Sequence, residues 1–196
     1  MAQDQVAGPE QDTGNIPYRL IAAAMIIDKD FRIDAQCFHF HLEEAHVSSL
    51  KVRQKRGELI AYYPENMDLA RPVVQEWLQH QIEESLRQHA KVLLIPRIRQ
   101  MAEQRNLHPS QIHIHKSRTR WGSCSSRGSI NLSLYLMLVP QHLQDYVMQH
   151  ELTHLVEMNH GTRFWLLLDR AVNGQSRQLR KELRNYTTDI KLFETI

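Results

Sequence analysis

Three histidines and one glutamate carry the chemistry this sequence offers: His150-Glu151-Leu152-Thr153-His154, followed by His160. Residues four apart on a helix lie nearly one above the other, so His150 and His154 can pinch a single Zn²⁺ from one face. Glu151 projects beside that pair. It is too far round the helix to be an obvious third ligand but within reach of a metal-held water, which makes it a candidate general base. Ten residues of continuous helix would carry His160 about 15 Å from His150, whereas metal–nitrogen bonds are about 2 Å long. A third imidazole therefore requires the helix to end between His154 and His160. Met158-Asn159-His160-Gly161 offers that stop, because Asn and Gly tolerate left-handed conformations. With twelve histidines in 196 residues, composition alone yields an HExxH string in roughly 5% of such chains, and the added His in about 0.3%.

The elements that must position these groups can be read along the chain. Residues 1–15, rich in Gln, Asp, Gly and Pro, read as a disordered tail. Short apolar stretches at Leu20–Ile27, Cys37–Leu42, Val47–Val52 and Glu58–Tyr63, separated by turn signals, predict an N-terminal antiparallel sheet. His39 and His41 share one face of it as ordinary strand residues. A helical region follows from Pro72, with Pro96 expected to break it and a second helix from Pro96 to Arg105. Gln111–Lys116 alternates as a strand, and a Gly/Ser-rich turn leads to a second strand at Ser129–Leu136. Pro140 opens the HExxH helix, in which Leu143, Val147, His150 and His154 share a side opposite the polar stripe Gln141, Asp145, Gln149 and Thr153. An apolar helix from Thr162 to Ala171 and a basic one from Gln175 to Tyr186 complete an α+β chain, with residues 16–190 as one domain and 111–173 as its metal-site core.

Composition narrows the class. Hydrophobic residues at 42% and charged residues at 23% belong to a globular protein. The polar start has no basic segment followed by an apolar run, and no stretch approaches the roughly 18 apolar residues of a membrane helix, so a soluble cytoplasmic protein is expected, with no membrane partner. Two cysteines, Cys37 and Cys124, are too few for a disulfide scaffold, and Cys124, with no CxxC partner, reads as a small buried side chain. A net charge of +2 predicts no strong whole-protein attraction to nucleic acid or membrane.

The sequence also resembles the YgjP-like metallopeptidases, relatives of the SprT-like and WLM zinc proteases. The resemblance rests on Lys116-Ser117-Arg118-Thr119-Arg120-Trp121-Gly122-Ser123-Cys124-Ser125-Ser126, on Tyr146 to His154, on Met158-Asn159-His160 and on Phe164-Trp165. It implies a zincin-like α+β domain with an HExxH helix, His150, His154 and His160 as zinc ligands, and Glu151 as base. The His154-to-His160 spacing is that of metzincins, but Glu157 stands where they have glycine and no Met follows Met158, so their Met-turn is missing.

The leading expectation is zinc-dependent hydrolysis of peptide bonds, with Ser129–Leu136 as an edge strand for an extended peptide and Arg120, Tyr135 and Arg163 as candidate substrate-binding residues. One alternative is a metal-dependent nucleotide phosphohydrolase or pyrophosphatase. Between Gln104 and Gln144 lie Arg105, Lys116, Arg118, Arg120 and Arg127 with no Asp or Glu, a composition that could clamp a polyphosphate. Another is a nucleic-acid-associated protein, with the same cations on phosphates and Trp121 stacked on a base. Three imidazoles favour zinc over the carboxylate-held metals of phosphoryl transfer.

Overall fold

The computed structural model describes residues 26–186. The expected tail, most of the Leu20–Ile27 stretch and residues 187–190 therefore lie outside the described residues. In chain order the elements are β1 (Ile33–Ala35), β2 (Phe38–Glu44), β3 (Lys51–Lys55), β4 (Glu58–Tyr63), α1 (Pro72–Gln104), β5 (Gln111–His115), β6 (Gly122–Cys124), β7 (Ser129–Ser133), a 3₁₀ segment (Leu134–Leu138), α2 (Gln141–Thr153), α3 (Thr162–Ala171), α4 (Ser176–Leu183) and a closing 3₁₀ turn (Arg184–Tyr186). This is a mixed α+β architecture. One buried apolar cluster joins both sheets to α1, α2 and α3. Among the described residues no helix is long and apolar enough to cross a membrane.

The N-terminal sheet is mixed, which corrects the antiparallel expectation. Its order is β1-β2-β4-β3, and β4 lies parallel to β2 while pairing antiparallel with β3. The cause is the unequal polarity of the hairpin strands. β3, Lys-Val-Arg-Gln-Lys, is exposed along its length and takes the edge, whereas Leu59, Ile60 and Ala61 of β4 are consecutively buried and need cover on both faces.

Pro96 does not end α1, which runs unbroken for 33 residues. Its buried stripe, Val74, Leu78, Ile82, Leu86, Ala90, Leu94, Ile98 and Ala102, repeats every fourth residue. Pro96 itself is exposed, as is Val92, whose carbonyl loses its helical partner to the missing N–H. A long helix curves with its convex side to solvent, which is where a proline does least damage. Its cost of about 3 kcal/mol is offset because stopping there would uncover Ile98 and its neighbours, at about 1.5–3 kcal/mol per large apolar side chain.

α1 also organises the site. Arg97 pairs with Asp145 of α2 at 2.6 Å. Arg105 donates to the Gln149 carbonyl at 3.3 Å, to Gln149 Oε1 at 2.8 Å and to Thr153 Oγ1 at 3.2 Å. The polar stripe of α2 is thus its seam with α1, and a cation stands near its C-terminal end, where the helix dipole favours one. Further back, Glu83 gathers the 116–121 loop. It accepts from the Tyr135 hydroxyl at 2.8 Å and pairs with Lys116 at 2.7 Å and Arg118 at 3.6 Å. The Glu83 side chain is only 12% exposed, so Glu83→Ala is expected to cost about 2–3 kcal/mol, the range for hydrogen bonds to a buried charge. The checks are a lower urea midpoint and faster amide exchange across residues 116–121. An unchanged midpoint would remove the anchoring role.

The second sheet has the order β5-β7-β6. β7 is therefore its centre, not the exposed edge expected of Ser129–Leu136. It stops at Ser133, whose hydroxyl donates to the Ser117 carbonyl at 2.7 Å and accepts from the Tyr135 amide at 3.3 Å, turning the chain into the buried 3₁₀ segment. Among the described residues the edge strand packed against α2 is β6, formed by residues expected to lie in a turn.

Candidate metal centre

α2 begins after Pro140, where the Gln36 side chain accepts from the Gln141 amide at 2.9 Å, and ends at Thr153 with His154 as its cap residue. The chain then reverses without the left-handed stop expected at Asn159 and Gly161. Neither has positive φ, and Gly161 is extended at φ −78°, ψ −175°, where it caps α3. The reversal is closed by local bonds instead. Val156 and Glu157 amides donate to the Thr153 carbonyl, each at 3.0 Å, and the Gly161 amide to that of Asn159 at 2.7 Å.

This turn brings His150, His154 and His160 together, with one possible ligand atom from each lying within 4.8 Å of the others. His150 Nε2 and His160 Nε2 are 3.0 Å apart. Two imidazole nitrogens sharing one tetrahedral ion, each about 2.0–2.1 Å from it, stand roughly 3.3 Å apart, so the cluster already has the dimension of a metal site. His154 Nδ1 lies 3.2 Å from the Glu157 carbonyl, a bond that places the proton on Nδ1 and leaves Nε2 as the donor for a cation. Burial, reinforced by the neighbouring imidazoles, pushes the His150 pKa down to about 3. Burial also lowers that of His154. Both rings are neutral at physiological pH, as a metal ligand must be.

The support for this cluster is aromatic. Phe164 of α3 is fully buried, and its ring centroid lies 4.9, 4.6 and 4.5 Å from those of His150, His154 and His160. Trp165 Nε1 donates to the His160 carbonyl at 3.0 Å and so pins the exposed member of the triad. Sequence reading placed both aromatics on an apolar helix without assigning them this task. Their place four and five residues after His160, one helical turn beyond it, is the signal the sequence offers.

Glu151 is buried, 5% exposed, and its Oε2 has no hydrogen-bond partner. Burial pushes its pKa up to about 8, against a smaller opposing pull from Arg120. The carboxylate is roofed by β6. A Cβ built on Gly122 would meet Glu151 Oε1 at 2.6 Å and Cγ at 2.7 Å. Gly122 is therefore a position with no room for a side chain, a constraint that its place in a Gly/Ser-rich stretch does not reveal. Its φ is not in the left-handed region, so the requirement is for space alone. Gly122→Ala is expected to move the carboxylate or part β6 from α2, costing about 1–3 kcal/mol. A displacement near 1 Å can lower turnover about 10²-fold. The measurement is kcat alongside metal content. Full turnover at full metal occupancy would show that Glu151 needs no such placement.

Cys124, two residues on, is not a member of the ligand cluster; burial, with Glu151 nearby, raises its thiol pKa to about 11, which keeps it protonated. Of the three candidate substrate-binding residues, only Arg120 reaches the cavity beside Glu151. Tyr135 is fully buried on Glu83, because its hydroxyl serves the loop anchor. Arg163 is 71% exposed, with Nη1 3.9 Å from a Glu157 carboxylate oxygen, and does not line that cavity. The expected five-cation clamp is not assembled either: Arg105 serves α2, and Lys116 and Arg118 serve Glu83. His39 and His41 remain strand residues, paired with Asp34 and Glu43.

The backbone of β6 completes the surroundings. Ser125 N donates to Ser129 O, and Ser133 N to Trp121 O. Antiparallel pairing alternates, so residues 121, 123 and 125 turn their polar groups to β7, and Gly122 and Cys124 turn theirs outward. A family model described as the YgjP-like metallopeptidase domain matches residues 31–186. No curated protein and no solved structure matches the chain.

Proposed function

The chain belongs to the YgjP-like metallopeptidase family, and from that premise we propose that it is a zinc peptidase in which His150, His154 and His160 hold the metal and Glu151 moves the proton. The observation that carries this reading is the buried Glu151 carboxylate, with an unpartnered oxygen, set one residue from His150 and roofed by a strand edge. A buried carboxyl group with an unpartnered oxygen is costly as structure alone, since an unsatisfied buried polar atom loses its hydration without compensation. Three neutral imidazoles fit zinc better than harder cations, which prefer oxygen. When bound, zinc supplies Lewis acidity that brings the pKa of water towards about 7 and polarises a carbonyl.

The remaining work belongs to the chain's own residues. Beside a bound cation Glu151 would be ionised, and its unpartnered oxygen would take a proton from water as that water adds to the scissile carbonyl, then deliver it to the amine nitrogen as the C–N bond breaks. The outward N–H and C=O groups of Gly122 and Cys124 can pair with an extended peptide, holding it across α2 by main-chain bonds. β6 thereby takes the role first expected of Ser129–Leu136. The test is release of peptide fragments by zinc-loaded protein, its loss on chelation and return with zinc, and its dependence on Glu151. A protein that binds zinc at these histidines and cuts no peptide in a random pool would refute the reading.

A further inference from the structure

The cavity beside Glu151 has a volume of about 350 Å³, at the lower end of the roughly 300–1,000 Å³ typical of ligand sites. Its apolar walls include Tyr146 and Val147 from α2 and Leu183 from α4, while Arg120, Arg180 and Arg184 bring three cations to it from two separate segments. Among the described residues, Glu151 is the one acidic group lining it, and although Arg120 attracts its ionised form, none of the three arginines forms a salt bridge with a described carboxylate. Ion pairs elsewhere do occupy Arg87, Arg97, Lys116 and Arg163. Arg180 is held in place by a ring. Its Cζ lies 5.0 Å from the centroid of Trp165, the same indole that pins the His160 carbonyl.

Three like charges around one space repel one another until an anion enters. The guanidinium fork matches a carboxylate through two parallel bonds, and the apolar walls suit an aliphatic stem. An acidic peptide residue has both parts. A polynucleotide would instead call for a run of cations following successive phosphates, whereas these converge on a cavity of side-chain size. We propose that this cavity is a specificity subsite for a carboxylate-bearing residue adjoining the scissile bond, with Arg180 and Arg184 pairing to the carboxylate. The inference rests on the peptidase reading and narrows its substrates to peptides with an acidic side chain, or the C-terminal carboxylate, at that position.

In the test, full-length zinc-loaded protein receives a random-sequence peptide pool and the cut sites are read by mass spectrometry. Matched peptides then carry Glu or Gln at the selected position, each with a free or an amidated C terminus. The expected result is a preference of about tenfold or more in kcat/KM for the carboxylate, carried mainly by KM and weaker at higher salt. A Glu-over-Gln difference assigns the side chain, and a free-over-amide difference assigns the C terminus. In the double variant Arg180→Gln/Arg184→Gln the ratio falls towards unity, and Arg180→Lys/Arg184→Lys restores part of it. Calorimetric binding of the same peptides to zinc-loaded Glu151→Gln separates the two readings. Carboxylate-selective binding without cleavage by the native protein keeps the subsite and removes the peptidase. Cleavage without that selectivity overturns the subsite alone, and absence of both overturns both. Oligonucleotide binding that is lost in the arginine variants, with no discrimination between the peptides, overturns the proposal in favour of a nucleic-acid surface.

Discussion

Glu151→Gln is expected to keep its zinc and lose about 10²–10⁴-fold in kcat, the range for removing a general base or acid. The substitution suits the question because Gln has the shape of Glu. It fits beneath Gly122, where a built Cβ stands 2.6 Å from Oε1, and it leaves the imidazole cluster untouched. What it cannot do is accept the proton. Metal content and kcat, measured on the same sample, separate this role from a structural one. Unchanged turnover at full occupancy would dismiss Glu151 as the base, and a parallel fall in zinc would make it a support for the ligands. Combined with Gly122→Ala, the second loss should be much smaller than it is alone, because both act through one carboxylate.

The second large effect concerns the metal itself, where the three histidines are not equivalent. His154 is 8% exposed with Nδ1 committed to the Glu157 carbonyl, whereas His160 is exposed and depends on Trp165. Zinc in small folded sites is held by about 10–16 kcal/mol, so removing one of three protein ligands should cost on the order of 3–4 kcal/mol, or about 10²–10³ in affinity. His154→Ala and His160→Ala are both expected to show that loss in zinc competition titrations. Trp165→Phe keeps the ring and deletes the bond to the His160 carbonyl, and should cost about tenfold, as outer-shell partners do. A His160→Ala protein with native zinc affinity would remove His160 from the ligand set.

How far the sequence could be read differed with the range of the interaction. Helix periodicity alone placed His150, Glu151 and His154 beside one another, and the need for a reversal before His160 followed from the rise per residue. The reversal is present, yet Asn159 and Gly161 do not make it in the left-handed form expected of them. Carbonyls of Thr153 and Asn159, which any sequence possesses, do so instead. Pro96 departs from expectation for a related reason: its local cost is fixed by its type, but the burial of Ile98 and Ala102 beyond it depends on tertiary packing. Tyr135 and Lys116 looked available because Glu83, 52 and 33 residues away in sequence, is invisible to a local pattern.

By itself the sequence determined the residue types gathered at the site, the α+β class and the family, because residue types at helical spacing and a contiguous motif are short-range properties. The tertiary structure alone decided which strand is an edge, which cations are held by other side chains and which residue must be glycine. Those are questions of strand order, charge pairing and available space, and each depends on what lies opposite a residue, not beside it in the chain.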